Sequence, residues 1–363
     1  MKDNQISFGV KYSIILLGLV ALFFIIYIAQ GILIPLIFSF IIAILFSPIV
    51  VFFTKLRLPK IIAITLAILL VSCVSILFLI LLASQLTKFS ESFPVLLENF
   101  YSALAQGLDW VATKTDIKPA HLESMVTDSK AELLEWGKSS LSATLLTVGN
   151  MLIMILLIPV YVFMILFYKP LLQEFLFRIT GKENDAELKL ILVSTKSIIQ
   201  RYLVALLLEM AIMTALNTSA LLIIGVEYAF ILGLIGAILN VIPYVGGIVS
   251  TILPMIVAIG TGNSTSMALL VLASYVLIQF IDNNFIIPKL VGAKVKINAL
   301  ISILVVIIGG SIWGVPGMFL SLPLIAILKI IFDHIDSLKP WGYLLGDTMP
   351  PLIKLRFHFS RKK

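Results

Sequence analysis

The sequence predicts an all-α polytopic membrane protein: about six full transmembrane helices plus two opposed re-entrant helical hairpins, with amphipathic external and cytoplasmic helices. Three observations carry this. Of 363 residues, 60% are hydrophobic and only 12% are charged, whereas a soluble domain carries about 25% charged residues. The apolar residues fall in long runs, near the roughly 20 that a helix needs to cross a hydrocarbon core of about 30 Å. In the last third, two runs are split by Gly- and Pro-rich turns into arms too short to cross. This composition excludes a disordered chain, a disulfide scaffold and a free soluble enzyme.

The net charge of +7, from 26 Lys and Arg against 19 Asp and Glu, reports topology rather than a nucleic-acid partner. Lys55, Arg57, Lys60, Lys289, Lys294, Lys296 and the tail cations Lys354 to Lys363 flank apolar runs or end the chain. Cations beside spans stay in the cytoplasm, so both termini are expected inside, with membrane lipids as the main surroundings. The single cysteine, Cys73, cannot form an intrachain bridge and reads as a small buried hydrophobe.

In chain order, Tyr12 to Ala29 and Ile32 to Phe53 are spans, the first too long for a cleaved signal peptide. Ile61 to Ala83 leads out, so residues 1–86 form an N-terminal three-span region. Residues 87–144 are acidic in balance and form an external segment, with Leu97, Tyr101, Leu104, Leu108 and Val111 as one helical stripe. A fourth span occupies 145–168, kinked at Pro159. Residues 169–200 break at Thr180-Gly181-Lys182 into two stripes that predict helices on the cytoplasmic surface. A fifth span opens the transport region 201–338, and 339–363 is a basic cytoplasmic tail.

The transport region holds both interrupted runs. Pro243, Gly246 and Gly247 mark the tip of the first hairpin, entering from outside; Gly310, Gly314, Pro316 and Gly317 mark the second, entering from inside. Irregular backbone survives at membrane depth only where protein or a wet cavity satisfies its polar groups, and paired broken segments point to a transporter's binding site. The alternative is a pair of tight turns between tilted full spans.

Ionisable groups inside spans are the sharpest chemical signal, since a central Asp costs about 2.5–3.5 kcal/mol on insertion. Asp282, with Gln279, Asn283 and Asn284, reads either as a cation or proton site or as a staple for re-entrant backbone. Glu209 reads as its partner in depth or as a residue snorkelling to the interface. Asn240 shapes the first hairpin and is placed to join the same polar cluster. His121, His334 and His358 lie outside the spans, and no HExxH, phosphate-binding loop or Cys/His metal spacing exists. Neither an enzyme nor a resident cofactor or metal is expected.

Several segments resemble the autoinducer-2 exporter (AI-2E) family of bacterial membrane proteins. They are Gly225-Val226 followed by Gly233; Leu239-Asn240-Val241-Ile242-Pro243-Tyr244-Val245-Gly246; Gln279-Phe280-Ile281-Asp282-Asn283-Asn284 through Pro288-Lys289-Leu290-Val291-Gly292; and Gly309-Gly310-Ser311-Ile312-Trp313-Gly314-Val315-Pro316-Gly317. The chain departs from the family pattern at Ala205-Leu206, Glu227 and Ala299, where Gly-Gln, Pro and Pro are usual. The resemblance implies a multi-pass transporter of the bacterial inner membrane and a homo-oligomer, with a pentamer as the assembly to expect. The function expected is secondary-active export of a small polar, autoinducer-2-like solute by alternating access, coupled to protons or sodium ions. The alternatives are a sodium (lithium)/proton antiporter using Asp282 and, from another class, a non-transporting membrane scaffold.

Overall fold

The computed structural model describes residues 8–114, 157–181, 184–240, 245–261, 265–290 and 297–347. Pro243, most of the external segment beyond Lys114 and the basic tail beyond Asp347 lie outside them. The described chain is all helical apart from an isolated bridge between Ile297 and Gly346. Five described helices are long and apolar enough to cross a bilayer, one of them the stretch 299–334 that folds back on itself. A bent pair, 157–180, makes a sixth if it is a single span, and residues 13–28 of the expected first span form a shorter apolar helix.

Helix α1 (Phe8–Ile28) passes into α2 (Gln30–Lys55) through Ala29 alone, and α3 (Lys60–Lys114) follows a short turn. α3 is one helix of 55 residues, about 82 Å long at 1.5 Å per residue. It runs without interruption through the composition change at residues 86–87, with Pro94 inside it. At one end Lys60 donates to the Phe167 carbonyl at 3.0 Å. There Ala63, Ile64 and Ala67 pack on α2 (Ala43, Phe46) and on Val162 of α4 (Leu157–Phe167). At the other end Phe89, Phe93, Leu97 and Tyr101 pack on the helices of the transport region. The predicted stripe is thus half realised: Leu97 and Tyr101 are buried and Leu104 is exposed. Cys73 lies on the free stretch between the two ends and is exposed. This corrects the expectation of a buried thiol: apolar surroundings in the sequence mean lipid contact here, not a protein core.

α4 bends by 61° into α5 (Lys169–Thr180), which buries no residue. Gly181, at φ 75° and ψ 154°, breaks the chain where the sequence predicts. Beyond it the structure differs from the expected surface helix. α6 (Asp185–Ile224) is a single 40-residue helix, so the second cytoplasmic stripe is the base of the fifth span. No Gly or Pro occurs between Asp185 and Ile224 to interrupt it.

α6 ends at Gly225, left-handed at φ 88°, as helix C-termini commonly do. Two short helices follow, α7 (Ala229–Asn240) and α8 (Val245–Gly260), about 18 and 24 Å long. Gly246 sets their closeness, since a Cβ there would collide with the Leu239 carbonyl. α9 (Thr265–Ile281) continues through a π-helical turn, Asp282–Ile286, into the short α10 (Ile287–Leu290). The last long helix, α11 (Ala299–His334), is a folded pair: Gly314, at φ 61° and ψ −143°, is non-helical and reverses the chain. Residues 309 and 317 of the two arms touch. The second arm, residues 315–334, is about 30 Å long, because its helix continues past the apolar run through Asp333-His334. A 3-10 turn (Asp336–Leu338) and α12 (Lys339–Leu345) complete the described chain.

Candidate functional site

Helices α6, α7, α8 and α9 each turn a polar stripe toward the others. On α9 and the π-helical turn that continues it, the spacing of Tyr275, Gln279 and Asp282 places them on one helical face. On α7, Asn240 follows Gly233 and Gly236, and on α8 Gly247 precedes Ser250 and Thr251. α6 adds Tyr202 and Glu209. These residues, except Gly233, Gly236 and Ser250, line a cavity of about 760 Å³ between the four helices, with Asn283 at its edge.

Asp282 is fully buried. Its Oδ2 accepts a 3.0 Å hydrogen bond from Asn240 Nδ2, and its Oδ1 is buried without a protein partner. The π-helical turn starts at this residue; its wider winding places Asp282 and Asn283 at smaller angular separation than an α-helix would, and such turns concentrate at functional sites. Gln279 Nε2 reaches Asn283 Oδ1 at 3.5 Å. Gly247 lets the start of α8 sit over Gln279, whose Oε1 would lie 3.1 Å from a Cβ at that position.

Glu209 is buried, 7% exposed, and lies within electrostatic reach of Asp282. The interface-snorkelling alternative does not describe it. Among the described residues no Lys, Arg or His lines the cavity, so Asp282 and Glu209 share an apolar-walled space without a described cationic side chain. Among the described residues no group of three or more His, Cys, Asp or Glu is arranged to hold a metal ion.

The structure thus brings together Asp282, Gln279, Asn283, Asn240, Glu209 and Gly247, while Gly246 tightens the hairpin behind them and Pro243 lies outside the described residues. The second hairpin tip does not join them. Gly310, Gly314, Pro316 and Gly317 are absent from the cavity wall, to which α11 contributes Leu322. Near that tip, Trp313 donates its Nε1–H to the Ile26 carbonyl of α1 at 3.1 Å. Gly314 is the reversal itself, while Gly310 lies against Met318 of the returning arm. Asn284 turns back to the Phe280 carbonyl at 2.8 Å.

Tyr202, Thr251 and Tyr275 were not apparent as site residues in the sequence. Their signal is a polar group recurring at four or seven residues from Glu209, Gly247 and Gln279, weak against the apolar background of each span.

A bundle of apolar helices with broken segments around an apolar-walled cavity that holds a buried carboxylate defines a multi-pass membrane protein of the transporter class. The chain belongs to the AI-2E transporter family, whose sequence model matches residues 16–337. It is 28% identical to the AI-2 transport protein TqsA of Escherichia coli (strain K12) over 344 residues, 93% of this chain and 96% of the relative. A putative transport protein of Haemophilus influenzae is 27% identical over 351 residues, 92% and 96% of the two chains. The putative transport protein YrrI of Bacillus subtilis (strain 168) is 25% identical over 253 residues, 69% and 70% of the two. The protein is a membrane transport protein of this family.

Proposed function

We propose that the protein is a secondary-active transporter that carries a small polar, hydroxyl-bearing solute of the autoinducer-2 kind through the Asp282 cavity by alternating access. It works as a homo-oligomer in a bacterial inner membrane, with both termini cytoplasmic. The observation that supports this reading is the cavity itself: about 760 Å³ between α6, α7, α8 and α9, open past the exposed Ile248 and Val276, walled by apolar side chains and edged by Asp282, Asn240, Gln279 and Asn283. Amide and carboxylate groups at one side of an apolar space bind several hydroxyls at once, and few convergent polar groups on an apolar wall are the usual make-up of a small-molecule site. The name of the Escherichia coli relative supports autoinducer-2 as the first solute to try.

A second reading, sodium or lithium exchange for protons, is favoured by one specific feature. Glu209 and Asp282 share the cavity with no cationic side chain among the described residues of its wall, and such a pair attracts a proton or a small cation. Proteoliposomes separate the two. Accumulation of labelled autoinducer-2 down an imposed gradient, absent from empty liposomes, supports the first reading. Sodium-driven proton movement without solute flux supports the second. Absence of both from reconstituted, folded protein removes the transport role from this cavity.

A further inference from the structure

The described residues contain five buried side-chain oxygens with no hydrogen-bond partner, on Thr195, Asn217, Thr218, Tyr275 and Asp282. A buried unpaired polar atom costs about 1–3 kcal/mol, so each asks for a ligand or a water. Thr195, Asn217 and Thr218 are on α6, Tyr275 is on α9 and Asp282 starts the π-helical turn. Tyr275 and Asp282 line the transport cavity, and Asn217, Thr218 and Tyr275 lie to one side of Asp282. Tyr275 precedes Asp282 by seven residues, about 10 Å along α9, and Asn217 follows Glu209 by eight, about 12 Å along α6. Both displacements run toward the same end of the bundle, where α3 caps α7 and α8.

Gly236 of α7 is the point at which they meet. A Cβ built there would lie 3.2 Å from Asn217 Nδ2, 3.3 Å from Ser250 Cβ and 3.9 Å from the Tyr275 ring. Asn217, Ser250 and Tyr275 are 2%, 5% and 4% exposed. Ser250 Oγ donates to the Gly247 carbonyl at 3.0 Å and keeps a lone pair free. Tyr275 also lines the cavity, so the cluster joins it rather than forming a separate core. One turn further on, Thr218 is drawn against the backbone of Gly233. Beyond that the helices close on wholly apolar residues, among them Leu221, Ile231, Val257 and Val271.

From this geometry we infer that Asn217, Ser250 and Tyr275, gathered around Gly236, line a narrow polar file that continues the transport path from the Asp282 cavity toward the α3-capped side. The file takes water and, during turnover, small polar solute or a partly hydrated monovalent cation. Gly236 lets these side chains approach one another, because a Cβ there would press on Asn217 and Ser250. The apolar layer around Leu221 and Val257 closes its far end in this conformation. The inference rests on the proposed transport role of the cavity, but its test needs no knowledge of the cargo.

The chain has a single cysteine, Cys73, so Cys73→Ala gives a thiol-free background. Single cysteines are placed at Ser250 and Asn217 in the file, at Gln279 in the cavity, and at the exposed Leu277 on the opposite face of α9 as a lipid-facing control. A water-soluble methanethiosulfonate reagent is added to both sides of reconstituted protein. Modification needs water to ionise the thiol and carry the reagent, so S250C, N217C and Q279C should react at least tenfold faster than L277C. Adding Gly236→Ala should slow S250C and N217C and leave Q279C unchanged. If Q279C reacts and both file positions react no faster than L277C, the file is overturned while the cavity reading stands. If the file positions react and Q279C does not, the cavity has been misplaced and the path runs without it. Tyr275→Phe, which removes only the hydroxyl, should slow the labelling of S250C; an unchanged rate counts against the tyrosine as part of the wall.

Discussion

Gly309 and Gly317 face each other across the second hairpin without space for a methyl group: a Cβ on Gly309 would lie 2.5 Å from the Gly317 carbonyl oxygen, and the reverse collision is closer still. In a straight helix the two would be about 12 Å apart. The approach exists only because the chain reverses at Gly314. Backbone contact through small residues is how apolar helices adhere where lipid offers no hydrophobic driving force.

Alanine at Gly309 or Gly317 must therefore push two backbones apart, an overpacking cost of about 1–3 kcal/mol. Gly310→Ala should be milder, because its Cβ would meet the flexible Met318 side chain rather than backbone. Thermal unfolding of the detergent-purified variants is expected to rank Gly309→Ala and Gly317→Ala well below Gly310→Ala. Equal midpoints for all three would mean that the arms are not in contact.

The clamp between α3 and the first hairpin is similarly local. Asn99 Nδ2 donates to the Gly260 carbonyl at 2.7 Å, the Leu96 backbone presses on Gly260, and Tyr228 donates to Ser92 Oγ at 2.8 Å. Gly260→Ala should lift α3 from the hairpin, and Asn99→Ala should weaken it by about 1 kcal/mol. Hydrogen exchange over residues 89–101 should rise in Gly260→Ala and more modestly in Asn99→Ala. Protection equal to that of the unaltered protein in both would show that the apolar contacts of Phe89, Phe93 and Leu97 hold α3 by themselves.

How much of this was legible follows from which physical signal each feature leaves. The apolar helices, the break at Gly181 and the reversal at Gly314 are written in hydropathy and in glycine, and the structure has them. The continuity of α3 and of α6 is not, because helices continue silently from membrane to water when no Gly or Pro intervenes, and charge then reads as a boundary. Asp282 was visible as a carboxylate inside a span. Glu209 was ambiguous, since depth along one helix says nothing about which face turns inward. Asn217, Ser250 and Tyr275 were invisible because single polar residues in apolar runs acquire meaning only when a neighbouring glycine brings them together. Cys73 was misread for a related reason: an apolar run does not say whether its residues meet protein or lipid.

Asn298 ties the start of α11 to α12. Its Oδ1 accepts from the Ile301 N–H at 2.9 Å, while its Nδ2 donates to the Leu344 and Gly346 carbonyls at 2.7 and 3.1 Å. Asn298→Ala loses all three bonds and should cost about 2 kcal/mol. Asn298→Asp keeps the cap but not the two donors, so its melting temperature should fall between those of the alanine variant and the unaltered protein. An aspartate variant as stable as the unaltered protein would show that α12 is held by other contacts.

The bond from Asn240 to Asp282 supports the sharpest functional prediction, because its two ends can be altered separately. In Asp282→Asn a neutral amide of nearly equal volume takes the carboxylate's place, and its oxygen can still accept from Asn240 Nδ2. The hairpin should therefore stay closed. The cost of holding a charge away from water also disappears, so thermal stability should be unchanged or higher. Transport should fall at least tenfold, with its pH or sodium dependence flattened, because the group proposed to bind a cation or cycle a proton is gone. Asn240→Ala behaves in the opposite sense. It leaves the carboxylate in place but removes its only described hydrogen-bond donor, which should lower stability and retain a coupled, weaker flux. The double variant should be more stable than Asn240→Ala, since no buried charge is left unpartnered, and as inactive as Asp282→Asn. Wild-type flux with an unchanged pH response in Asp282→Asn would instead make this carboxylate a structural tie between α7 and the π-helical turn. The search for the coupling group would then move to Glu209.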